Sequence, residues 1–345
     1  MLKKILLLLL GLFLLAAAAL AYLAWDLDQF LNRPIEAEKT FVYQVRSGAT
    51  VRGIEDEFVR MGVLSRSHYF SSYARYFGLA EKIKKGEYQV EVHLTPPQLL
   101  DLLVSGKVIQ YSLTLVEGWN FKQMMSAVDN NSILEHELKG LSKKEIMQRL
   151  GYAGVHPEGR FYPDTYAFTR GTSDLSFLKR SYNKMSSVLE REWQKRQKKL
   201  PLKSAYEALI LASIVERETA AVQERPKIAG VFIRRLRKKM RLQTDPTVIY
   251  GMGDRYDGNI RRRDLTADTP YNTYTRSGLT PTPIAMPSGD AIRAVLHPDE
   301  DGSLYFVAKG DGSGEHDFSK TLIEHNKAVA RYLKRLRQNR RKNKK

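Results

Sequence analysis

The N-terminal segment is the feature that most restricts how this chain can fold. After Met1-Leu2-Lys3-Lys4, the chain continues from Ile5 to Ala24 without a charged residue. A run of roughly 20 apolar residues matches the hydrocarbon thickness of a bilayer. The two lysines should remain on the cytoplasmic side, while Tyr22 and Trp25 suit the far interface. We therefore expect a membrane-spanning helix within residues 1–25 and the rest of the chain outside.

A cleaved signal peptide is the alternative interpretation of this segment. A-x-A spacings between Ala16 and Ala21 resemble a signal-peptidase site. However, the apolar core of a signal peptide usually has about 7–15 residues, fewer than this run. The length therefore favours an uncleaved anchor.

Composition excludes several kinds of chemistry. The 345 residues contain no cysteine, so disulfides, thiol nucleophiles and thiolate metal sites are excluded. His136, His156 and His297 are not spaced as metal ligands, so we expect no metal site. The length suggests two domains, or one large one, beyond the N-terminal segment.

The net charge of +18 is unevenly distributed. Nine Lys or Arg residues and no acidic residue lie between Arg331 and Lys345, and further basic clusters span Arg234–Arg241 and Arg261–Arg263. Such clusters are compatible with nucleic-acid binding, or with attraction to anionic phospholipid and acidic peptides. No nucleic-acid fold signature accompanies them, and the N-terminus argues against the cytoplasm. We therefore expect no nucleic-acid partner.

A short polar tether, residues 26–39, is expected to precede a small domain at residues 40–111. The pattern predicts, in order, a strand at Phe41–Val45, a helix with Ile54 and Phe58, a helix opened by Ser67, a strand at Tyr88–Val92 and a helix after Thr95. The last helix has Pro96 in its first turn and Gly106 after its end, which is the usual asymmetry. Farther along, long helices are predicted at Leu175–Lys199, Pro226–Met240 and Thr321–Gln338, and a polar helical stretch at Asn130–Tyr152.

The segment Ser204–Thr219 reads as one amphipathic helix with an acidic residue in an unusual place. Ser204 and Glu207 form an S-x-x-E capping box. The predicted apolar face contains Ala208, Leu211, Ala212 and Val215, flanked by Ile214.

Glu218 falls near the middle of that face, whereas Glu216 lies toward its margin. Burial of a carboxyl group disfavours its charged form, so the pKa of Glu218 should rise, as a general acid requires. The alternative is that the helix ends near Val215 and leaves Glu218 solvated in its last turn.

Three loops contain residues suited to binding a sugar. Aromatic faces stack on pyranose rings and carboxylates accept bonds from hydroxyl groups, which suits the loop Pro157–Thr165 with Glu158 and Tyr162. The alternative is that Phe161 and Tyr162 cap the core. A polar turn containing Gln243 and Asp245 precedes a predicted short strand, Thr247–Tyr250.

The third loop carries Tyr271, Asn272 and Tyr274 and is expected to be exposed. It lies between Pro270 and a proline-rich run that ends at Pro287. Asn and Tyr side chains are suited to hydrogen bonding with a sugar. The sequence therefore predicts that Gln243, Tyr271 and Asn272 contact a sugar.

Long runs of this sequence resemble the endolytic murein transglycosylases, the MltG or YceG-like family. The runs are EGRFYPDTY (Glu158–Tyr166), IVERETA (Ile214–Ala220), RLQTDPTVIYGMG (Arg241–Gly253), TPYNTYTRSGLTPTPIAMPS (Thr269–Ser288) and EHDFSKT (Glu315–Thr321). The resemblance covers nearly the whole chain and is densest from Ala212 to Pro287. It implies a bacterial inner-membrane enzyme that cuts glycan strands of nascent peptidoglycan internally, with Glu218 as the catalytic residue.

The resemblance also implies the domain organisation. We expect an α+β protein with an N-terminal transmembrane helix, a small LysM-like domain at residues 40–111 and a larger α+β catalytic domain at residues 112–345 that ends in the basic tail. The LysM-like domain would contact glycan, or would only position the catalytic part. Tyr-Asn segments like Tyr271-Asn272 line the clefts of lysozyme-like transglycosylases.

The implied reaction uses one carboxyl group and no cofactor. Glu218 would protonate the glycosidic oxygen and then remove the proton of the C6 hydroxyl, which closes a 1,6-anhydro ring on N-acetylmuramic acid. The resemblance implies class A penicillin-binding proteins as partners and a role in ending strand elongation. The alternative is a non-catalytic, membrane-tethered scaffold that binds glycan.

Overall fold

The computed structural model describes residues 2–342, with side chains through residue 338. It confirms a mixed α+β fold with a long apolar N-terminal helix and small two-stranded sheets. The chain divides into two compact units. The first contains the chain up to Tyr111 together with Ala167–Gly171, and the second contains Ser112–Tyr166 and the chain from Thr172.

The N-terminal helix α1 (Leu2–Asn32) is long and apolar enough to cross a membrane. It continues beyond Trp25, so the expectation of a polar tether beginning at residue 26 is wrong for the segment up to Asn32. Phe30 and Ile35 are each only 5% exposed and belong to the core of the first unit. Phe30 and Ile35 are apolar side chains that are buried in this core, whereas a solvated tether would have no apolar side chains to bury.

The rest of the first unit follows the predicted order of elements. These are β1 (Phe41–Val45), α2 (Val51–Arg60), α3 (Tyr69–Tyr76), β2 (Gly86–Val90) and α4 (Pro96–Ser105). The two strands are antiparallel, with Phe41 opposite Val90 and Val45 opposite Gly86. The second strand begins two residues earlier than predicted, because Gly86 rather than Tyr88 makes the first pair. Phe58, Tyr88 and Leu103 are fully buried between the sheet and the helices.

The second unit is mainly helical. Its elements are β3 (Tyr111–Leu115), α5 (Phe121–Asp129), α6 (Lys143–Arg149), β4 (Asp164–Phe168), α7 (Asp174–Gln194), α8 (Ala205–Glu218), α9 (Arg225–Arg237), α10 (Asp245–Met252), α11 (Arg262–Thr266), α12 (Gly289–Leu296), β5 (Tyr305–Ala308), β6 (His316–Ser319) and α13 (Leu322–Lys342). Strand β3 pairs with β4, and the terminal residues of these strands, Tyr111, Ala167 and Phe168, are counted with the first unit. Strand β5 pairs with β6 in an antiparallel hairpin. Residues 343–345, the end of the predicted basic tail, lie outside the described residues.

Helix α8 is the centre of this unit. It packs against α7, α9, α10 and α12, and every residue from Ala208 to Val215 is buried. The prediction of a one-faced amphipathic helix was therefore too narrow, since neighbouring helices surround it. Ser213 is accommodated because its hydroxyl donates to the carbonyl of Ile210 at 2.7 Å and accepts from the N–H of Ile284 at 2.9 Å.

The start and end of α8 agree with the sequence. The Ser204 hydroxyl caps the N–H of Glu207 at 3.2 Å. The Glu207 carboxylate accepts from the N–H of Lys203 rather than from Ser204, so the capping box is only half formed as predicted. The helix ends at Glu218, and Thr219 leaves it in an extended conformation.

Two predicted elements are wrong. The segment Thr247–Tyr250 lies in helix α10 and not in a strand, because Pro246 occupies the first turn of a helix that begins at Asp245. The stretch Asn130–Tyr152 is helical only over α6. Ser142 and Glu145 form a capping box at the N-terminus of this helix. Both errors came from local propensity, which tertiary packing overrides.

Candidate active site

Glu218 brings a carboxyl group from the core to the wall of a cavity. It is the last residue of α8 and is half-buried, so the alternative that the helix ends near Val215 and leaves it solvated is wrong. The cavity has a volume of about 760 Å³, and its wall combines the end of α8 with Thr114–Gly118 and Pro163–Thr165. We call it the Glu218 cavity. Its volume is in the range that holds small ligands.

The surroundings of Glu218 place its proton affinity near neutral pH. Burial is the main cause that raises its pKa to about 7, and the negative charge of Asp245 acts in the same direction. The Thr244 hydroxyl donates to Oε1 of Glu218 and lowers the pKa in part, as does the charge of Arg235. A carboxyl group with this pKa can both give and take a proton under ordinary conditions.

Glu216 is engaged in a different way. Its Oε1 accepts from Arg225 at 2.7 Å, and its Oε2 accepts from the backbone and hydroxyl of Ser288 at 2.9 and 2.6 Å. The side chains of Glu216 and Arg225 are each 5% exposed. Removing one partner of such a pair leaves an uncompensated buried charge, which is strongly destabilising. Glu216 therefore ties α8 to the beginnings of α9 and α12.

The loop that precedes α10 places Thr244 against Glu218. Gln243 is exposed and has a φ of 53°, which is uncommon for a residue with a side chain. Its N–H donates to the carbonyl of Thr273 at 3.2 Å, and the N–H of Thr244 donates to the Thr273 hydroxyl at 3.1 Å. These bonds hold the backbone of the loop and aim the Thr244 hydroxyl at the carboxyl group.

Asp245 and Tyr274 complete the polar surroundings of Glu218. The Tyr274 hydroxyl donates to Oδ1 of Asp245 at 2.6 Å. Burial, the hydrogen bond to Asp245 and the charge of Glu218 all raise the pKa of Tyr274, so it remains a neutral donor. The structure thus places Asp245 and Tyr274 near Glu218, next to the loop of Gln243 and Thr244, while their contact with a sugar stays a prediction.

Arg235 supports the loop that contains Gln243 through hydrogen bonds, a role that its sequence context did not predict. Its guanidinium donates to the carbonyls of Leu304 and Leu242, both at 2.8 Å, and reaches Oε1 of Gln243 at 3.4 Å. In the sequence, Arg235 falls within the basic cluster at Arg234–Arg241. Its position seven residues after Ile228, on the apolar stripe of α9, was the signal that could have identified a buried arginine.

A second cavity of about 820 Å³ shares Gly118 and Arg217 with the first. We call it the tyrosine cavity because Tyr250, Tyr256 and Tyr271 line it. The rings of Tyr250 and Tyr271 meet edge to face with centroids 4.8 Å apart. The Tyr271 hydroxyl bonds to that of Thr282 at 2.9 Å. The predicted residue Tyr271 is therefore in the neighbouring cavity rather than beside Glu218.

Glu158 also lines the tyrosine cavity but is fully engaged within the protein. Its side chain accepts from the N–H of Phe121 and from the Tyr250 hydroxyl, both at 2.8 Å. The residue is 1% exposed, and burial raises the pKa of its carboxyl group. We assign it a supporting role for Tyr250 and the start of α5.

Asn272 is buried, so the expectation that its loop is exposed is wrong at this position. It is 1% exposed. Its Nδ2 lies 3.1, 3.1 and 2.7 Å from the carbonyl oxygens of Asp264, Leu265 and Ala267, and its Oδ1 accepts from the N–H of Tyr274 at 2.9 Å. The carboxamide ties the loop together and is not free to hold an N-acetyl group.

Tyr162 lies away from both cavities. It packs against the core that surrounds α8, and the ammonium group of Lys184 lies 5.1 Å from its ring centroid. Phe161 is 1% exposed. The alternative that these two aromatic residues cap the core therefore agrees with the structure.

One group among the described residues has the composition of a cation site. Ligand atoms of Asp129, His136 and Asp174 lie within 4.8 Å of one another. The two oxygens of Asp174 accept from the backbone N–H groups of Glu137 and Leu138 at 3.0 and 3.1 Å, and His136 lies 3.7 Å away. These contacts explain the group as a support for the loop before α6, and we assign no metal to it.

Comparisons with known proteins agree on one family. The sequence model of the YceG-like family matches residues 43–331, a range that contains both cavities. The endolytic murein transglycosylase of Bacillus subtilis (strain 168) is 32% identical over 322 residues, which cover 88% of each chain. The endolytic murein transglycosylase of Streptococcus pneumoniae (strain D39) is 25% identical, and the match covers 61% of that longer chain.

A solved structure gives the same result. The crystal structure of a YceG-like protein from Listeria monocytogenes matches with a TM-score of 0.52 and 27% identity. The match covers 84% of this chain and 99% of that one.

The contacts of Asn272 predict that Asn272→Ala destabilises the protein. The substitution removes a buried carboxamide and leaves three partly buried carbonyls and one N–H without their side-chain partner, so we expect the free energy of unfolding to fall by about 1–3 kcal/mol. Thermal and denaturant unfolding of the purified protein measure this. Ser277→Ala, at an exposed position of the same loop, is the control and should change little. An unchanged melting temperature for Asn272→Ala would contradict the structural role.

Proposed function

This chain belongs to the YceG-like family, and we propose that it is an endolytic murein transglycosylase, a lyase that acts on peptidoglycan. The observation that carries the proposal is the carboxyl group of Glu218, with a pKa of about 7, on the wall of a cavity. The curated relatives named for this activity support it.

The proposed reaction needs one carboxyl group that acts twice. Protonated Glu218 donates its proton to the glycosidic oxygen between N-acetylmuramic acid and N-acetylglucosamine, and the C1–O bond breaks. The N-acetyl carbonyl of the substrate stabilises the cationic centre at C1. The carboxylate of Glu218 then takes the proton of the C6 hydroxyl group while the oxygen of that hydroxyl group bonds to C1. The product is a 1,6-anhydro ring, and the proton returned to Glu218 closes the cycle.

The other acids of the Glu218 cavity support this assignment. Glycosidases that hydrolyse the bond use two carboxyl groups. Asp164 is paired with Lys184 and Glu216 with Arg225. Glu117 is 54% exposed and lies 3.9 Å from Arg225. Glu218 is thus the half-buried acid of this wall whose charge no basic side chain pairs directly.

The arrangement of cavities supports cleavage within a strand. Gly118 and Arg217 line both the Glu218 cavity and the tyrosine cavity, so the two cavities are neighbours. A strand cut internally must have sugars on both sides of the bond. Two adjacent cavities of about 760 and 820 Å³ offer room for groups of the strand on both sides. Gln243, Asp245 and Tyr274 are the predicted residues that we retain as contacts to the sugar beside Glu218.

We expect Glu218→Gln to abolish formation of anhydro ends while the fold remains intact. Glutamine keeps the size of the side chain but cannot cycle a proton, so turnover should fall by about 10³-fold or more. Mass spectrometry of digested cell-wall sacculi measures the product. Above pH 7 this variant should also be at least as stable as the parent. Folding raises the pKa of Glu218, so the parent protein loses stability as the pH rises and this carboxyl group ionises, whereas glutamine carries no charge.

Glu216→Gln is the matched comparison. It should lower the melting temperature through the buried Arg225 charge, while the folded fraction continues to form anhydro ends. Equal loss of turnover per folded molecule in both variants would contradict the assignment of Glu218. Reducing ends instead of anhydro ends would indicate a hydrolase, with Glu117 as the second carboxyl group. If neither kind of end is formed, the result would favour a glycan-binding scaffold.

The pH profile gives an independent prediction. The first step needs protonated Glu218, so kcat/KM should fall as the pH rises through about 7. Thr244→Val removes a hydroxyl that donates to the carboxylate, so the pKa of Glu218 should rise further and the alkaline limb should move to higher pH. Thr247→Val, a buried threonine that bonds to Thr244 and Thr273 instead, is the control. A limb that stays in place, or moves to lower pH, in Thr244→Val would contradict the proposed environment.

The location and partners follow from the family and from α1. We propose that α1 anchors the protein in the inner membrane with Lys3 and Lys4 in the cytoplasm and the second unit in the periplasm. Peptidoglycan strands are the substrate, and class A penicillin-binding proteins are the partners that the resemblance implies. The strand–helix–helix–strand order of β1, α2, α3 and β2 supports a LysM-like domain at residues 40–111, which contacts glycan or positions the catalytic domain at residues 112–345.

The proposed topology predicts that a reporter fused after Lys345 is active only on the periplasmic side and that Met1-Leu2 remain at the N-terminus of the purified membrane protein. Uncleaved α1 provides the anchor in this arrangement. N-terminal sequencing and a periplasm-specific reporter test the two parts. A mature N-terminus near Ala21 or Tyr22 would show instead that the segment is a signal peptide.

A further inference from the structure

The tyrosine cavity carries two positive charges that no acidic side chain in its wall neutralises. Lys122, Lys143 and Arg217 are its strong bases, and Glu158 and Asp254 are its acids. Lys122 lies 2.8 Å from both carboxylate oxygens of Asp254, so these two charges compensate each other. Glu158 is buried, raised in pKa and held by Tyr250 and Phe121.

Lys143 and Arg217 remain. Arg217 is exposed, and its Nη1 donates to the neutral carbonyl of Gly118 at 3.3 Å. Lys143 is the exposed first residue of α6, and no ion pair of its ammonium group is found among residues 2–338, although its positive charge lowers the pKa of the buried Glu158 carboxyl group in part. A cation in the first turn of a helix is unfavourable for the helix dipole, so Lys143 does not serve the stability of α6. Burial lowers the pKa of His156, which leaves that ring neutral at pH 7.

The position of the cavity restricts what an anionic ligand can be. Arg217 precedes Glu218 directly in the chain, and its side chain lines both cavities. A group that occupies the tyrosine cavity during the reaction is therefore attached to a sugar next to the bond that is cut. The edge-to-face rings of Tyr250 and Tyr271 offer that group an apolar surface.

Peptidoglycan has two kinds of anionic group. Peptides that carry carboxylates are attached to the lactyl group of muramic acid along the strand, whereas pyrophosphate occurs at a lipid-linked strand end. An enzyme that cuts inside a strand has a peptide-bearing sugar at every cleavage site but no strand end there. The carboxylates of the peptide are therefore the anions that the cavity meets.

We propose that the tyrosine cavity, beyond the part that receives the sugar beside the scissile bond, binds the peptide attached to that sugar, and that Lys143 and Arg217 pair with its carboxylates. This inference rests on the proposed function and deepens it, because it makes the protein selective for strands that still carry peptides. Lys143 lines the tyrosine cavity but not the Glu218 cavity, whereas Arg217 lines both. A substitution of Lys143 therefore tests selectivity with less effect on catalysis than a substitution of Arg217.

The test compares two substrates with the full-length protein in detergent. One is purified glycan strands with their peptides, and the other is the same strands after an amidase has removed the peptides. We expect the ratio of kcat/KM for peptide-bearing strands to kcat/KM for stripped strands to exceed one. In Lys143→Ala this ratio should fall roughly three- to tenfold, and in Lys143→Glu further, since a charge pair at an accessible site is modest and is screened by salt.

Lys144→Ala is the matched control. It removes the same charge from the adjacent exposed residue of α6, which does not line the cavity, and the ratio should not change. An unchanged ratio in Lys143→Ala, or an equal fall on both substrates, would overturn the inference. A ratio that depends on a lipid-pyrophosphate end rather than on peptides would overturn it in favour of the other anion. If the unaltered protein cuts neither substrate, the proposed function fails instead, which is a separate result.

Discussion

The site depends on a single constraint, which is the burial of α8 from Ala208 to Val215, just before the helix reaches Glu216 and Glu218. Eight consecutive residues of that helix are enclosed by other helices, so the chain has no freedom to move Glu218 relative to the core. The carboxyl group emerges where the helix meets the Glu218 cavity and is half-buried as a result. Burial disfavours its charge, and the negative end of the helix dipole acts in the same direction. The rest of the site adjusts this environment.

Glu216 and Glu218 show how position on one helix decides the role of a carboxyl group. They are two residues apart, so their side chains point in different directions around the axis. Glu216 meets Arg225 and Ser288 and is a structural residue. Glu218 meets a threonine hydroxyl, the charge of Asp245 and the charge of Arg235. The same residue type thus joins elements of the fold in one place and has a pKa of about 7 at a cavity wall in the other.

The sequence predicted the elements that have strong periodicity and the residues that lie on them. Helix α8 and the unusual position of Glu218 follow from a 3.6-residue pattern, and strand β1 has the predicted bounds, Phe41–Val45. The loop of Asn272 has no such period. Its carboxamide bonds to carbonyls five to eight residues earlier in the chain, a contact set that composition does not reveal. Thr244 escaped notice for a similar reason, because its partner Glu218 comes from a different helix.

The extent of α1 also required the structure, and it changes how an anchor would act. A polar sequence after Trp25 suggested a flexible connection, but Asp26 receives a hydrogen bond from Tyr69 at 2.8 Å and an ion pair from Arg66 at 3.2 Å. Phe30 then enters the core of the first unit, edge to face with Tyr69. If α1 spans the membrane, its first charged residue after the apolar run lies at the interface and is bound directly to this unit. The first unit is then held at the membrane surface by a continuous helix, rather than reaching it through a mobile linker.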